Sequence, residues 1–141
     1  MAKIEKIWFE SNRIWIKTCD GKNFNRPLEA FPTLMEATEE QRLSFKIGTD
    51  GTDIRWNEID EDIHISSFYN TEEPDYNNEI ATIFSKFPQL NVSEVARSMG
   101  IHKSLLSKYI YGIKRPSEER EEQIKQALHS LGKELMDIIN S

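Results

Sequence analysis

Cysteine is almost absent. Cys19 is the single one, in the run Thr18-Cys19-Asp20-Gly21, so no internal disulfide can form and the expected compartment is the reducing cytoplasm. Long apolar runs are absent too. None approaches the roughly eighteen residues a membrane helix needs, and the first residues lack a signal-peptide core, so a soluble, untargeted protein with no membrane partner is expected. The histidines, His64, His102 and His129, are too far apart for an HxxxH or HExxH pair on one helix face. No serine sits in a G-x-S-x-G elbow, Cys19 has no neighbouring base, and there is neither a P-loop nor a G-x-G-x-x-G. Nothing here calls for a catalytic residue, a cofactor or a resident metal, and an enzyme is not expected.

Charge is scarce in one sign and unevenly spread. The net charge of -6 argues against a general nucleic-acid coat. Residues 1–78 hold nine Lys/Arg against sixteen Asp/Glu, whereas residues 79–141 hold nine against eight. Within 91–116, Arg97, Lys103, Lys108, Lys114 and Arg115 face only Glu94. A basic island on an acidic chain is the footprint of a local nucleic-acid contact.

The rest of the chain is organised around that island. Val92, Val95, Ala96 and Met99 recur at i, i+3, i+4 and i+7, one apolar face of a helix, and Gly100 supplies the left-handed conformation that ends it. A second helix is predicted over 103–111, with Leu106, Tyr109 and Ile110 inward and His102, Lys103, Ser104, Ser107, Lys108 and Tyr111 on the open face. Lys103, Ser104, Ser107 and Lys108 are expected to reach base edges in the major groove, while Tyr111, Lys114, Arg115 and Arg97 contact phosphates. His102 opens the second helix. An imidazole is not among the preferred caps, so a looser first turn or a histidine recruited to phosphate is expected.

The pattern Ala96-x-x-x-Gly100-x(5)-Leu106-Ser107-x-Tyr109, followed by Gly112-x-x-x-Pro116-Ser117, resembles the helix-turn-helix of the lambda-repressor-like (Xre-type) family. The resemblance covers about 78–131 and implies an all-α DNA-binding domain. In that family the residue opening the second helix is often Ser or Thr, and here it is His102.

In the first half, residues 3–9 and 13–18 are rich in Ile, Trp and Phe and predict a β-hairpin. Asp20-Gly21 turns the chain into a third antiparallel strand over 22–26, which Pro27 stops. One or two helical turns follow Pro32, with Thr38 and Gln41 spaced for a capping box. Strand composition returns at 43–47, at 54–56 and at 63–68. The fold class is therefore α+β, a small mostly antiparallel sheet domain followed by the helical one. The expected boundaries are 1–70 for the first domain, 71–78 for a polar linker interrupted by Pro74, and 79–141 for the second.

Glu58, Asp60, Glu61, Asp62 and His64 crowd into seven residues. Because no glycine-permitted tight turn lies inside the run, the simpler expectation is that Ile59, Ile63 and Ile65 point inward while the acids face water, a partner, or the guanidinium groups of Arg42 and Arg55. Glu58, Asp60, Glu61 and Asp62 are thus candidates for holding a partner protein. The spaced string from Asp20-Gly21 through Pro27-Leu28, Phe31-Pro32, Ala37-Thr38 and Gln41-Arg42 to Gly51-x-x-Ile54-x-Trp56-x-x-Ile59-Asp60-Glu61-Asp62-Ile63 resembles the bacterial domain-of-unknown-function family twenty-four forty-two. The resemblance covers nearly all of 3–68, and some members of that family carry a repressor-like helix-turn-helix after it. It implies a regulator or an antitoxin, with a toxin as partner at the first domain.

At the C-terminal end Ser117 is a good N-cap with acids in the first turn behind it. Ile124, Leu128, Leu131, Leu135 and Ile138 repeat at 4, 3, 4, 3, the spacing of an a/d seam, with Gly132 a candidate break. Leu135, Met136, Ile138 and Ile139 are surplus to a small core, which points to a homodimer. The function expected is a DNA-binding transcriptional regulator, an antitoxin or autorepressor reading operator DNA as a dimer. The alternative is a protein-interaction module without DNA binding.

Overall fold

Three strands open the chain in a computed structural model, which describes residues 2–141: β1 (Ile4–Glu10), β2 (Arg13–Thr18), whose burial alternates with period two, and β3 (Asn23–Pro27). They pair antiparallel in the order β1-β2-β3. Ser11 and Asn12, with φ of 54° and 60°, make the two-residue left-handed turn that suits the twist of a hairpin. Ile14 and Ile16 lose all exposure on the inner face, where they meet Leu34, Ile54 and Trp56.

Two short helices follow, α1 (Pro32–Glu36) and α2 (Glu39–Leu43). The capping box forms as the spacing predicts: Thr38 Oγ1 accepts from the Gln41 N–H at 3.1 Å and Gln41 Oε1 accepts from the Thr38 N–H at 2.9 Å. Residues 43–47 do not form a continuous strand. Leu43 closes α2, and only β4 (Lys46–Ile47) is extended. It pairs with β5 (Asp53–Trp56), which pairs with β6 (Glu61–His64), making a second three-stranded antiparallel sheet rather than an extension of the first. Both sheets close over one core. The expected strand over 63–68 stops at His64, because its side chain accepts from the Ser66 N–H at 3.1 Å and starts a 3-10 helix, Ile65–Tyr69. The burial of Ile65 and Phe68, three residues apart, fits that tighter turn.

The segment 71–78 is tied down at both ends. Arg13 holds Glu73 with two bonds of 2.7 and 2.9 Å, and Arg26, buried opposite Ile14 on the inner face, donates to the Glu72 carbonyl. Further on, the Asp75 N–H donates to the Tyr111 carbonyl at 2.8 Å. The chain divides into two compact units accordingly, one ending at Pro74 and the other starting at Asp75. The hydrogen bond from Arg13 holds the Glu73 carboxyl below the usual glutamate range. A depressed folded-state value means that the bond's stability is complete above the ordinary glutamate range and is lost as pH falls through the lowered value. Thermal melts of wild type and Glu73→Gln should therefore differ near neutrality and converge on acidification; a constant gap across that window would show that the carboxylate charge is not what holds the strap.

The second unit is α3 (Glu79–Lys86), α4 (Val92–Met99), α5 (Lys103–Tyr111) and α6 (Glu118–Ile139) around Ile80, Phe84, Val95, Leu106 and Ile124. Asn78, Asn91 and Ser117 cap α3, α4 and α6 by accepting from backbone N–H groups at 2.8, 3.2 and 3.1 Å. Gly132 does not break α6. Nothing lies within 4 Å of it on its open side, and a glycine in an exposed helix costs only about 1 kcal/mol against alanine. Among the described residues, no helix is long and apolar enough to cross a membrane.

Gly100 and Gly112 both take left-handed φ, 71° and 72°, but they differ in surroundings. A Cβ at Gly100 would meet nothing, whereas one at Gly112 would overlap the backbone of Asp75. Gly100→Ala should therefore cost only the left-handed penalty, roughly 1–2 kcal/mol, and Gly112→Ala clearly more, compared by urea unfolding of the full chain.

Candidate nucleic-acid interface

Three residues, Gly100, Ile101 and His102, carry the chain from α4 to α5. The N–H groups of Gly100 and Ile101 return to the carbonyls of Arg97 and Ala96 at 3.0 and 3.1 Å, the double bond pattern that lets a helix end sharply on glycine. Ala96 is 1% exposed, so the tight join leaves no room there for a longer side chain.

The first turn of α5 is not loose. His102 Nδ1 accepts from the Ser104 N–H at 3.1 Å and lies 2.8 Å from Ser104 Oγ. The imidazole succeeds as a cap because Nδ1 is bonded to Cγ, as the carbonyl oxygen of asparagine is, and so sits at the same reach from the backbone. His64 caps the 3-10 helix in the same way. A ring accepting at Nδ1 carries its hydrogen on Nε2, where it is a donor.

Around that turn the expected contact residues do not all lie open. His102, Arg97, Lys114 and Arg115 are exposed, and Lys103, Ser104 and Lys108 are half-buried with the first turn of α5 free of acids. Ser107 was expected on the open face but is 3% exposed: the buried arc of α5 runs about 100° past Leu106, the rotation of one residue, on the side away from Tyr109. Ser107 is therefore removed from the base-contacting set. Ile110, expected inward, is only partly buried. The Tyr111 ring packs edge-on against Tyr76, centroids 6.0 Å apart, so part of the ring is occupied within the unit.

The charges near this face are of mostly one sign. Glu94, 3.8 Å from Arg97, forms a pair in which both side chains are largely exposed and which contributes little. Lys114 and Arg115 border a small cleft with Glu79 and Glu121, and Lys125 engages both of those acids at 3.2 and 3.7 Å. A helix N-terminus without acids, opened by Lys103, carries a local field that favours phosphate.

In the first unit the acidic run forms a tight turn after all. Asp60 takes φ of 51°, a left-handed conformation that aspartate tolerates without glycine, and the turn joins β5 to β6. Arg55 pairs with Asp60 at 2.6 Å, Gln41 donates to Glu58 at 3.3 Å, and Glu61 accepts from the Asp62 N–H at 3.0 Å. Arg42 is not a partner of the run: it donates to the carbonyls of Leu34 and Met35 at 2.7 and 2.8 Å, bracing α1. Glu58, Asp60 and Asp62 stay exposed and Glu61 half-buried, and among the described residues no three acids, histidines or cysteines converge as metal ligands would. Mg, Ca, Mn or Zn ions should accordingly leave the melting temperature unchanged; a saturable rise of several degrees would mean a metal site.

Residues 4–74 match the model of a family described as protein of unknown function, DUF2442. The chain belongs to this family. The DUF2442 match ends at Pro74, the last residue of the first compact unit, and so extends past the 3–68 carried by the resemblance in sequence. The added residues include Glu72 and Glu73, the strap that Arg26 and Arg13 hold. Neither a curated protein nor a solved structure matches this DUF2442 chain.

Proposed function

We propose that the second unit is a lambda-repressor-like helix-turn-helix and that this DUF2442 protein is a transcriptional regulator, an antitoxin or autorepressor binding double-stranded operator DNA as a homodimer in the cytoplasm. The observation that carries the reading is the α4–α5 join: two helices meeting through a left-handed glycine, the second presenting Lys103 and Ser104 from a capped, acid-free N-terminus and Lys108 further along. In this reading Lys103, Ser104 and Lys108 meet base edges, while His102, Arg97, Lys114 and Arg115 hold phosphates. The first unit holds a partner protein or effector, with the exposed carboxylates of Glu58, Asp60 and Asp62 as one surface for it, and no chemical reaction is assigned to either unit.

One observation favours the rival, a protein-interaction module without DNA binding. Burial of Ser107 and packing of Tyr111 on Tyr76 take two contacts away from the groove face. The two readings separate on one experiment. Sheared genomic DNA from the source, passed over the immobilised protein at low salt, should yield a few enriched fragments with two half-sites about one helical turn, roughly 34 Å, apart. Retention of no fragment above background would leave the rival.

A further inference from the structure

The outward face of the first sheet is built in cross-strand rows that the DNA-binding proposal does not use. Lys6 stands opposite Lys17, which stands opposite Asn23; Trp8 stands opposite Trp15, which stands opposite Asn25; Glu10 stands opposite Arg13. The buried Ile7, Ile14 and Ile16 alternate with these residues, so the row residues project from the other side of the strands.

Two features of this face are costly unless something uses them. Like charges directly opposite on a sheet repel, yet Lys6 and Lys17 are both exposed, and no acid among the described residues pairs with either. Beside them two indoles stand on open sheet rather than in the core. Trp8 and Trp15 stack at 5.8 Å with planes 15° apart, and Lys6 Nζ lies 5.4 Å from the Trp8 ring. Both rings are only partly buried. Tryptophan beside arginine is the composition of sites where protein-binding energy concentrates.

The third row shows what chemistry the face accepts. Arg13 there already takes an acidic stretch of chain, gripping the Glu73 carboxylate with two bonds while its Nε donates to Asn25. The far row, Lys6, Lys17 and Asn23, repeats cations and an amide with no carboxylate on them, and the Trp8–Trp15–Asn25 row between sets an apolar pair beside an amide.

We propose that this face docks an acidic, extended segment of a partner protein, its carboxylates on Lys6 and Lys17 and an apolar side chain on the Trp8–Trp15 pair. Charge complementarity favours an acidic segment, and the ring geometry favours a peptide over a nucleic acid. Each indole turns one face toward the other and Lys6 lies over the Trp8 ring, which leaves Trp15 as the one ring of the pair with a face for a base to stack on, against the successive platforms that a single strand uses.

The indoles themselves report the test, since the remaining tryptophan, Trp56, is 1% exposed and contributes a constant background. The full-length protein is titrated with a short synthetic peptide alternating glutamate and leucine, with oligolysine and single-stranded oligothymidylate as controls, and tryptophan emission is followed. The acidic peptide should change the emission saturably, and Lys6→Glu with Lys17→Glu should weaken that response at least tenfold. Because reversing both signs could add repulsion of its own, Lys17→Glu alone is the second variant: it places a carboxylate opposite Lys6, should leave the melting temperature level or higher, and should still weaken binding several-fold. A saturable response to oligothymidylate instead of the peptide, a response to the peptide that neither variant weakens, or no response to any probe would overturn the proposal. None of its residues contacts DNA in the reading above, so each of the two can fail while the other stands.

Discussion

Alanine at Lys103 and Lys108 together should weaken operator binding by about 2 kcal/mol or more, roughly thirtyfold, each lost base contact of this kind being worth about 1–3 kcal/mol. The loss should come without unfolding. Both side chains are only half-buried and neither belongs to the core of the second unit, so the melting temperature should move by no more than a few degrees. A gel shift on the enriched fragments, repeated over a range of salt, checks both parts. Wild-type affinity should fall steeply with salt, and the double variant should show a shallower slope because fewer counterions are released. An affinity unchanged by the two alanines would remove α5 as the recognition helix, whatever else the protein binds.

Deleting residues 133–141 should turn a dimer into a monomer and nearly abolish binding to a palindromic site. A single helix-turn-helix buries little surface on DNA, so two must be held about one helical turn apart for specific binding. The end of α6 groups four exposed apolar side chains that can do so. Ile124 is fully buried and Leu128 and Leu131 partly so, but Leu135, Met136, Ile138 and Ile139 are 52–73% exposed. The deletion leaves Ile124, Leu128 and Leu131 in place, so the unit should stay folded, which circular dichroism checks while light scattering reads the mass. A truncated protein that stays dimeric would move the interface elsewhere and leave the DNA proposal intact.

Local rules carried much of the architecture. The hairpin, the Asp20-Gly21 turn, the Thr38–Gln41 capping box and the glycine end of α4 each depend on a few neighbouring residues, and all four stand in the structure. The failures are of another kind. Ile65 and Phe68 were placed in a strand because β-branched and aromatic residues favour one, but a histidine cap two residues upstream of nothing more than Ser66 redirected the backbone. Composition does not encode such a competition between side chain and ladder.

The candidate site divides along the same line. Which residue types gather at 97–115, and their excess of positive charge, is a property of the sequence alone, since charge and spacing need no fold to be counted. So is the surplus of apolar residues after Leu131. Which of those side chains face out was decided by packing: the buried arc of α5 reaches about 100° past Leu106 on the side away from Tyr109 and takes in Ser107, which the Leu106–Tyr109 spacing alone does not show. The roles of Arg13 and Arg26 lay beyond the sequence for the same reason. Their partners, Glu73 and Glu72, are 60 and 46 residues away, and only a closed sheet brings a β2 or β3 guanidinium against that strap. Short-range geometry is written in neighbouring residues; contacts across such separations exist only after the core has set the strands in register.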